Sequence, residues 1–530
     1  MRRIATALAV LALGNLTAAP DATARPIPPK PADQVVLVLD HGVIHRRLDP
    51  VDPAYELPEL RGPPPADRRA AHAAAAARPR TFSGELDRLL AAGLIDRPTR
   101  DRDRQVLLDA RRSFGRITGT RRTELGAVLG NLDQIAAAGL LTPSRLPGLV
   151  LTLARNRVWW TTGPLLYDGQ RVGFPGSQLV WQYYVGQGIE IQWLGTFGKA
   201  NGYFLGGRSH DVQLGALLDE AVGLATQRAG GLAWEYDFRF DGGAPPWVSS
   251  IAQGTALQAL GRAGVRFGRA DYLAAGRSAL GIFATPPPEG VRVATAAGAH
   301  YLIYSFVPGE RVLNAFVQSL VGLYDYAGLA NSPDARALFA AGEAEARLEV
   351  PRYDTGAWSL YDQSSESNLS YHTLVRDFLQ RLCDRLRTAA PTPAYAIAGP
   401  SGGTAPVPPA PPPTAPRPNA DVYCTTAAHF TAYMHQPPAV AVAPFGAERA
   451  GGPARLRLAL SKISDVTLTA RRDGQVVYRT TELLGHGSRT LVWHPAHPGR
   501  YRVSVAATDL AGNAAATAAT VLVAPARKHR

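Results

Sequence analysis

At Gln436-Pro437-Pro438 the hydrophobic rhythm of the chain changes. Upstream, apolar residues recur at spacings of three and four, the period of a helix buried on one face; downstream they alternate, the period of a half-buried strand. A helix-period pattern does not settle as a strand, nor the reverse. The break therefore predicts a long, mainly helical part followed by an all-β unit over residues 439–525. The 530 residues also exceed what one core organises, since single cores stop growing at about 250–300 residues.

Downstream, LRLALS, DVTLTARRDGQVVYRT, RTLVWHP, GRYRVSVAATD and AATVLVA are short alternating runs, with a two-residue turn at Asp473-Gly474. Short strands at regular spacing predict a β-sandwich of immunoglobulin type, here without the Cys and Trp pairing of antibody domains. The run Ala507–Asn513, ATDLAGN, is similar to the ends of accessory immunoglobulin-like modules in exported bacterial proteins. This unit is expected to fold alone, to carry no catalysis and to be dispensable for the rest.

Upstream, residues 1–24 combine Arg2 and Arg3, an apolar run from Ile4 to Leu16, and small residues ending at Ala19 or Ala24. That is the layout of a secretory signal peptide, which predicts a secreted or cell-surface protein with no membrane span after cleavage. Residues 25–80 read as an irregular leader rich in Pro, Ala and Arg, with one strand-like run at 34–44. An N-terminal helical region follows over 81–160. Residues 161–438 begin with an aromatic stretch holding Trp181, Tyr183, Tyr184, Trp193 and Phe197, which suits sugar-ring faces and a protein core equally. AWEYDFRFD at 233–241 alternates like a strand. From Trp247 to Cys383 the helices come in pairs with short turns, the pattern of an α/α toroid. A Pro-rich insert at 390–420 cannot build a core, and DVYCTTAAHFTAYMHQPP supplies one more helix. The expected fold class is thus multidomain: an incomplete α/α toroid with a small β portion, plus the C-terminal sandwich.

A net charge of +13 invites a nucleic-acid reading, because clustered cations bind polyanions by releasing counterions. The basic residues are four lysines (Lys30, Lys199, Lys462, Lys528) against 52 arginines scattered among Ala, Gly and Pro. That is a compositional bias without a patch, so no nucleic-acid partner is expected; a mildly basic surface still suits an acidic polysaccharide. The two cysteines, Cys383 and Cys424, flank the Pro-rich insert. In an exported chain an even pair points to one disulfide, with two free thiols as the alternative. Scattered histidines, with only His494 and His497 close together, and the lack of a Gly-rich phosphate loop predict neither a metal nor a cofactor.

The stretch Tyr353–Tyr371, YDTGAWSLYDQSSESNLSY, interrupts the helices with three tyrosines and two aspartates, and irregular segments on a rigid scaffold are where sites gather. Amphipathic packing alone also explains such tyrosines. A third reading, a lyase or hydrolase, would draw its carboxylates from Asp325, Asp354 and Asp362.

Taken with PPWVSSIAQGTALQALGRA (245–263), VLNAFVQSLVGLYDYAG (312–328), YDTGAWSLYD (353–362) and LSYHTL (369–374), the chain from about 180 to 385, together with the late helix, resembles the C-terminal domain of D-glucuronyl C5-epimerases. That family inverts the carboxylate-bearing carbon of uronic acids within polysaccharides, by removing a proton and returning one to the opposite face. The resemblance implies a uronic-acid-containing polysaccharide as partner and Tyr304, Tyr361 and Tyr371 as catalytic residues. Asn314, Asp362, His372, Trp247, Gln253 and Tyr184 complete the expected site as substrate-binding residues. Two departures stand out: Ile303 replaces an acidic residue before Tyr304, and Gln363-Ser364-Ser365 replaces Leu-Arg-His after Asp362. Arg311 or Arg376 would have to supply the missing cation. A non-catalytic carbohydrate-binding or cell-surface protein on the same fold is the competing reading.

Overall fold

The computed structural model describes residues 35–48, 80–387, 420–443, 446 and 448–526, all inside one compact unit, Pro31–Arg530. The expected signal peptide, most of the leader and the Pro-rich insert lie outside the described residues.

The run at 34–44 forms part of two strands, not one. Strand β1 (Val35–Asp40) turns at His41 and Gly42, both at positive φ, into β2 (Val43–Leu48), the twist that a two-residue hairpin needs. The N-terminal helices α1 (Phe82–Ala91), α2 (Arg97–Phe114), α3 (Gly119–Ala137) and α4 (Leu146–Thr162) then pack together. Thr81 and Asp96 start α1 and α2 by accepting the N–H of Gly84 and Thr99, the usual N-cap bond. Strands β3 (Arg171–Gly173), β4 (Trp181–Tyr184) and β5 (Gly188–Ile191) join the first hairpin in one sheet, ordered β2-β1-β3-β4-β5, with β1 parallel to β3. The aromatic stretch is core: Trp181, Tyr183, Trp193 and Phe197 are all buried.

Helices α5 (Trp193–Leu205) and α6 (Asp211–Gly223) lead to the hairpin β6 (Thr226–Arg228) and β7 (Gly231–Ala233). The alternating run at 233–241 makes no further strand beyond single bridges, Tyr236 with Trp247 and Phe240 with Gly243. Its neighbour in that antiparallel register is Pro245-Pro246, which has no N–H to donate to a ladder.

The centre of the helical part is α7 (Ser250–Phe267), buried on nearly every side. It is followed by α8 (Ala270–Ala279), the short α9 (Gly281–Ala284), the hairpin β8 (Arg292–Ala294) and β9 (Ala299–Tyr301), α10 (Leu313–Leu329), α11 (Pro333–Glu349), α12 (Leu369–Arg387) and α13 (Ala420–Tyr433). Helix α7 lies against α5, α8 and α10, and α10 also meets α11 and α12. Where α7 and α10 cross, a Cβ on Gly322 would lie 2.0 Å from the Gly254 carbonyl oxygen. Only glycine allows the two backbones so close. A Cys383–Cys424 disulfide joins α12 to α13.

The C-terminal region is all β. One sheet runs β10 (Val440–Val442), β12 (Ala454–Leu460), β15 (Gly487–Trp493). The other runs β11 (Glu448–Arg449), β17 (Ala514–Ala524), β16 (Gly499–Asp509), β13 (Ser464–Arg472), β14 (Gln475–Leu484). Asp473 and Gly474, both at positive φ, turn β13 into β14. Alternate residues of these strands, Leu456, Leu458, Val466, Leu468, Val503 and Val505 among them, build a core separate from the helical one.

The glycine crossing gives a graded prediction. Gly322→Ala is expected to cost at least about 1–3 kcal/mol through overpacking. Gly215→Ala in α6, where nothing lies within 4 Å of the added Cβ, should gain about 0.5–1 kcal/mol from helix propensity. Urea melts of the two variants against wild type check both signs. Replacing both cysteines with serine should cost about 4 kcal/mol on the loop-entropy estimate for a sequence separation of 41.

Candidate active site

Three separate segments bring the predicted tyrosines together. The stretch after α11 folds back on itself through bridges of Asp354 with Ser359 and of Leu360 with Glu366. Asp354 accepts the N–H of Gly356, whose φ is positive, at the first bend. Asp362 shapes the second bend by accepting the N–H groups of Ser364 (2.8 Å) and Ser365 (2.7 Å). Tyr361 at that bend is fixed by its own backbone: its N–H donates to Ser365 O at 2.7 Å and its carbonyl accepts from Leu313 N at the start of α10. Tyr371 stands in the first turn of α12, where Asn368 accepts its N–H. The rings of Tyr361 and Tyr371 lie 5.2 Å apart, tilted by 58°. Both line a narrow crevice with Asn314, Leu313, Leu360 and Val375.

Tyr304 approaches from the segment between β9 and α10. Its ring stacks on Phe306 (5.3 Å) and meets Trp247 edge-on (5.3 Å) and Phe240 (5.6 Å). Burial, followed by the neighbouring phenols Tyr361 and Tyr371 and by Asp241, pushes its hydroxyl well above the ordinary tyrosine range. At neutral pH Tyr304 keeps its proton.

The other expected site residues divide. Asn314 lies in the cleft, and its Oδ1 is buried with no hydrogen-bond partner. The Tyr184 hydroxyl is likewise buried and unpartnered, beside Phe238 at 4.7 Å. The other four residues expected to bind substrate make hydrogen bonds within the protein. Trp247 donates its indole N–H to Phe238 O; Gln253 binds the Trp234 backbone at both ends; Asp362 shapes the bend described above. His372, fully buried, stacks on Trp358 at 3.7 Å, with Nδ1 against Ser359 and Nε2 against the Phe430 carbonyl. The sequence could not separate these roles, because a polar side chain turned to its own backbone reads the same as one turned to a ligand.

The candidate carboxylates of a hydrolase are also engaged elsewhere. Asp325 is held by Arg385 and Gln258, and Asp354 by Tyr433 and His429. Of the two arginines considered as replacement cations, Arg311 donates its backbone N–H to Gln363 in the Tyr361 bend (3.0 Å), while Arg376 pairs with Asp377.

Sequence reasoning missed a buried acidic cluster. Glu235 lies between Arg145 (2.6 and 2.8 Å) and Arg228 (2.6 Å). Burial raises its carboxyl, but the two guanidiniums outweigh this and hold it below the usual range. Asp237 and Glu190, facing the same cavity of about 10 Å³, go the other way. Burial and Glu235 push Asp237 to about 8, and burial and Asp237 push Glu190 well up. Charged letters in AWEYDFRFD were the only local signal, and the partner Arg145 is 90 residues away.

Residues 229–389 match the family model of the D-glucuronyl C5-epimerase C-terminus. Over 131 residues the chain is 34% identical to the D-glucuronyl C5-epimerase of Caenorhabditis elegans, covering 22% of this chain and 21% of that protein. An uncharacterised protein of Methanocaldococcus jannaschii is 25% identical over 138 residues, 25% of this chain and 45% of that one. The chain thus spans about a fifth and under half of the length of these relatives. The endo-β-1,4-glucanase CMCax of Acetobacter xylinum aligns at 13% identity over 46% of this chain and 88% of that one, with a TM-score of 0.24, too low to bear on the fold.

The buried histidine yields a pH prediction. Burial, only partly opposed by the Phe430 carbonyl, lowers His372 to about 4 from an unfolded value of 6.5. A depressed histidine stabilises the fold in full above 6.5, and that stability is lost as the pH falls from 6.5 to 4. The loss should be on the order of 3 kcal/mol. Denaturant melts at pH 7 and pH 4.5 should show it in wild type and show less of it in His372→Gln.

Proposed function

We propose that the protein is an exported polysaccharide-modifying epimerase that inverts C5 of uronic acid residues, with its helical part an incomplete α/α toroid and its C-terminal region an immunoglobulin-like module. The observation that carries this reading is the pairing of Tyr361 with Tyr371 at 5.2 Å beside Asn314, inside the segment matched by the epimerase family. The disulfide, and the lack of any helix among the described residues long and apolar enough to cross a membrane, are compatible with an extracytoplasmic location.

C5 inversion needs an acid/base group on each face of the sugar and stabilisation of the charge that builds on the carboxylate. Tyr361 and Tyr371 are the opposed pair in this reading. Tyr304, whose surroundings all favour the neutral phenol, serves as a hydrogen-bond donor to the developing charge. Arg311, whose backbone rests on the Tyr361 bend, is the cation assigned to the substrate carboxylate. Such a cation both neutralises the substrate and lowers the pKa of a nearby phenol.

The competing reading, a carbohydrate-binding protein without catalysis, is favoured by Ile303, an apolar, fully buried residue where the resemblance calls for an acid. Incubation with a desulfated uronic-acid polymer in heavy water separates the two. Epimerisation places deuterium on the carboxylate-bearing carbon, and Tyr361→Phe or Tyr371→Phe should reduce incorporation by at least about a hundredfold with polymer binding largely kept. Binding without deuterium incorporation by wild type would leave the carbohydrate-binding reading in place.

A further inference from the structure

The segment that carries Tyr361 is fastened to the C-terminal β region at two points. At the first, the Glu366 carboxylate accepts the backbone N–H of Ile463 (2.8 Å) and of His486 (2.7 Å), and His486 Nδ1 lies 3.0 Å from Glu366 Oε2. The Glu366 side chain is only 5% exposed, and its backbone bridges Leu360, the neighbour of Tyr361. At the second, Lys462, 1% exposed, pairs with Asp509 at 2.7 Å and donates to the carbonyls of Tyr433 and Gln436, capping the end of α13. Its Nζ stands 5.4 Å over the Trp358 ring, and Trp358 stacks on His372, the chain neighbour of Tyr371. Ile463 and Leu510 extend the junction with apolar contact to the helical core.

A dispensable spacer would not bury two charged side chains at its root, because each must be paired and hydrogen-bonded to offset its desolvation. Here the donors to Glu366 come from residues 97 and 120 positions away in the chain, and they meet it beside the bend where Gln363-Ser364-Ser365 departs from the epimerase pattern. We propose that the C-terminal β region positions the tyrosine pair, with Glu366 holding the Tyr361 bend and Lys462 holding the Trp358–His372 stack beside Tyr371. Glu366 is a positioning residue: it acts on the site through the backbone of the bend. The proposal rests on the reading of the tyrosines as the active pair.

The test is amide hydrogen exchange, followed by mass spectrometry, on the full-length wild type, Glu366→Ala and Glu366→Gln. Loss of a charged acceptor for two backbone donors should speed exchange over residues 358–371 by about tenfold or more in Glu366→Ala. Glu366→Gln, which keeps one acceptor oxygen, should fall between, and it carries the comparison alone should the alanine variant not fold. Peptides from α7 and α10 should exchange at wild-type rates. Unchanged exchange over 358–371, or equal acceleration throughout the helical part, overturns the proposal. This readout needs no turnover, so it is decided separately from the epimerase reading. In the deuterium-incorporation assay, Glu366→Ala should lower kcat by about tenfold with KM within about twofold. A raised KM at unchanged kcat would overturn the positioning role.

Discussion

Assembly of the helical part turns on one buried carboxylate. Glu235, held between Arg145 and Arg228, ties the start of α4 to the β6–β7 hairpin. Arg228 also donates to the carbonyls of Pro246, Pro288 and Glu289, so two proline turns are fixed by the same group. Such a cluster is a poor source of net stability compared with apolar residues of equal size, yet leaving one charge unpaired there would cost on the order of 3–5 kcal/mol. Its effect is therefore on arrangement: of the residues on either side, Trp234 packs edge-on against Phe197, and Tyr236 is set into the aromatic wall that runs through Phe238, Phe240 and Trp247 to Tyr304. Charge balance follows from the same geometry. Two guanidiniums face three carboxyls, and the surplus acids, Asp237 and Glu190, are the ones whose titration moves up.

From that frame the candidate site is assembled through backbone contacts. The α7–α10 crossing at Gly254 and Gly322 places Leu313 where its N–H meets the Tyr361 carbonyl, and the Cys383–Cys424 bond holds α12, which carries Tyr371, against α13. The β region closes the sequence of contacts from the other side through Glu366 and Lys462.

What could be read from the sequence follows from what periodicity encodes. The helices from α7 to α13, the break at Gln436-Pro437-Pro438, the Asp473-Gly474 turn and the cysteine pair were all legible, because each rests on local spacing or on a short-range rule. The stretch holding Tyr361 and Tyr371 stood out as an irregular segment between helices, whereas catalytic roles for the two tyrosines came only through resemblance. The strand expected at 233–241 failed on a partner without N–H groups, and the separability of the β region met a lysine and a glutamate whose partners lie far away in sequence. Buried ion pairs and carboxylate caps leave no periodic trace: Lys462 reads as one of four lysines, and Glu366 as one polar residue in a polar loop, until the fold brings their partners to them.

The electrostatics of the three phenols narrow the chemistry further. A buried tyrosine loses its proton only with a cation or several donors to stabilise the phenolate, and each additional phenolate in the same enclosure would repel the first. Burial first, then Tyr361 and Tyr371, raise the titration of Tyr304, so a phenolate on either neighbour would oppose a second one on Tyr304. Within the proposed reaction this would favour one phenolate at a time, with Tyr304 remaining a donor. If the proposed roles hold, removal and return of the proton on opposite faces would amount to exchange of charge between Tyr361 and Tyr371. The direction of inversion would be set by which of the two is ionised when the polymer binds, and the spacing of the two rings, held by the bend at Glu366, would govern how readily that charge changes place.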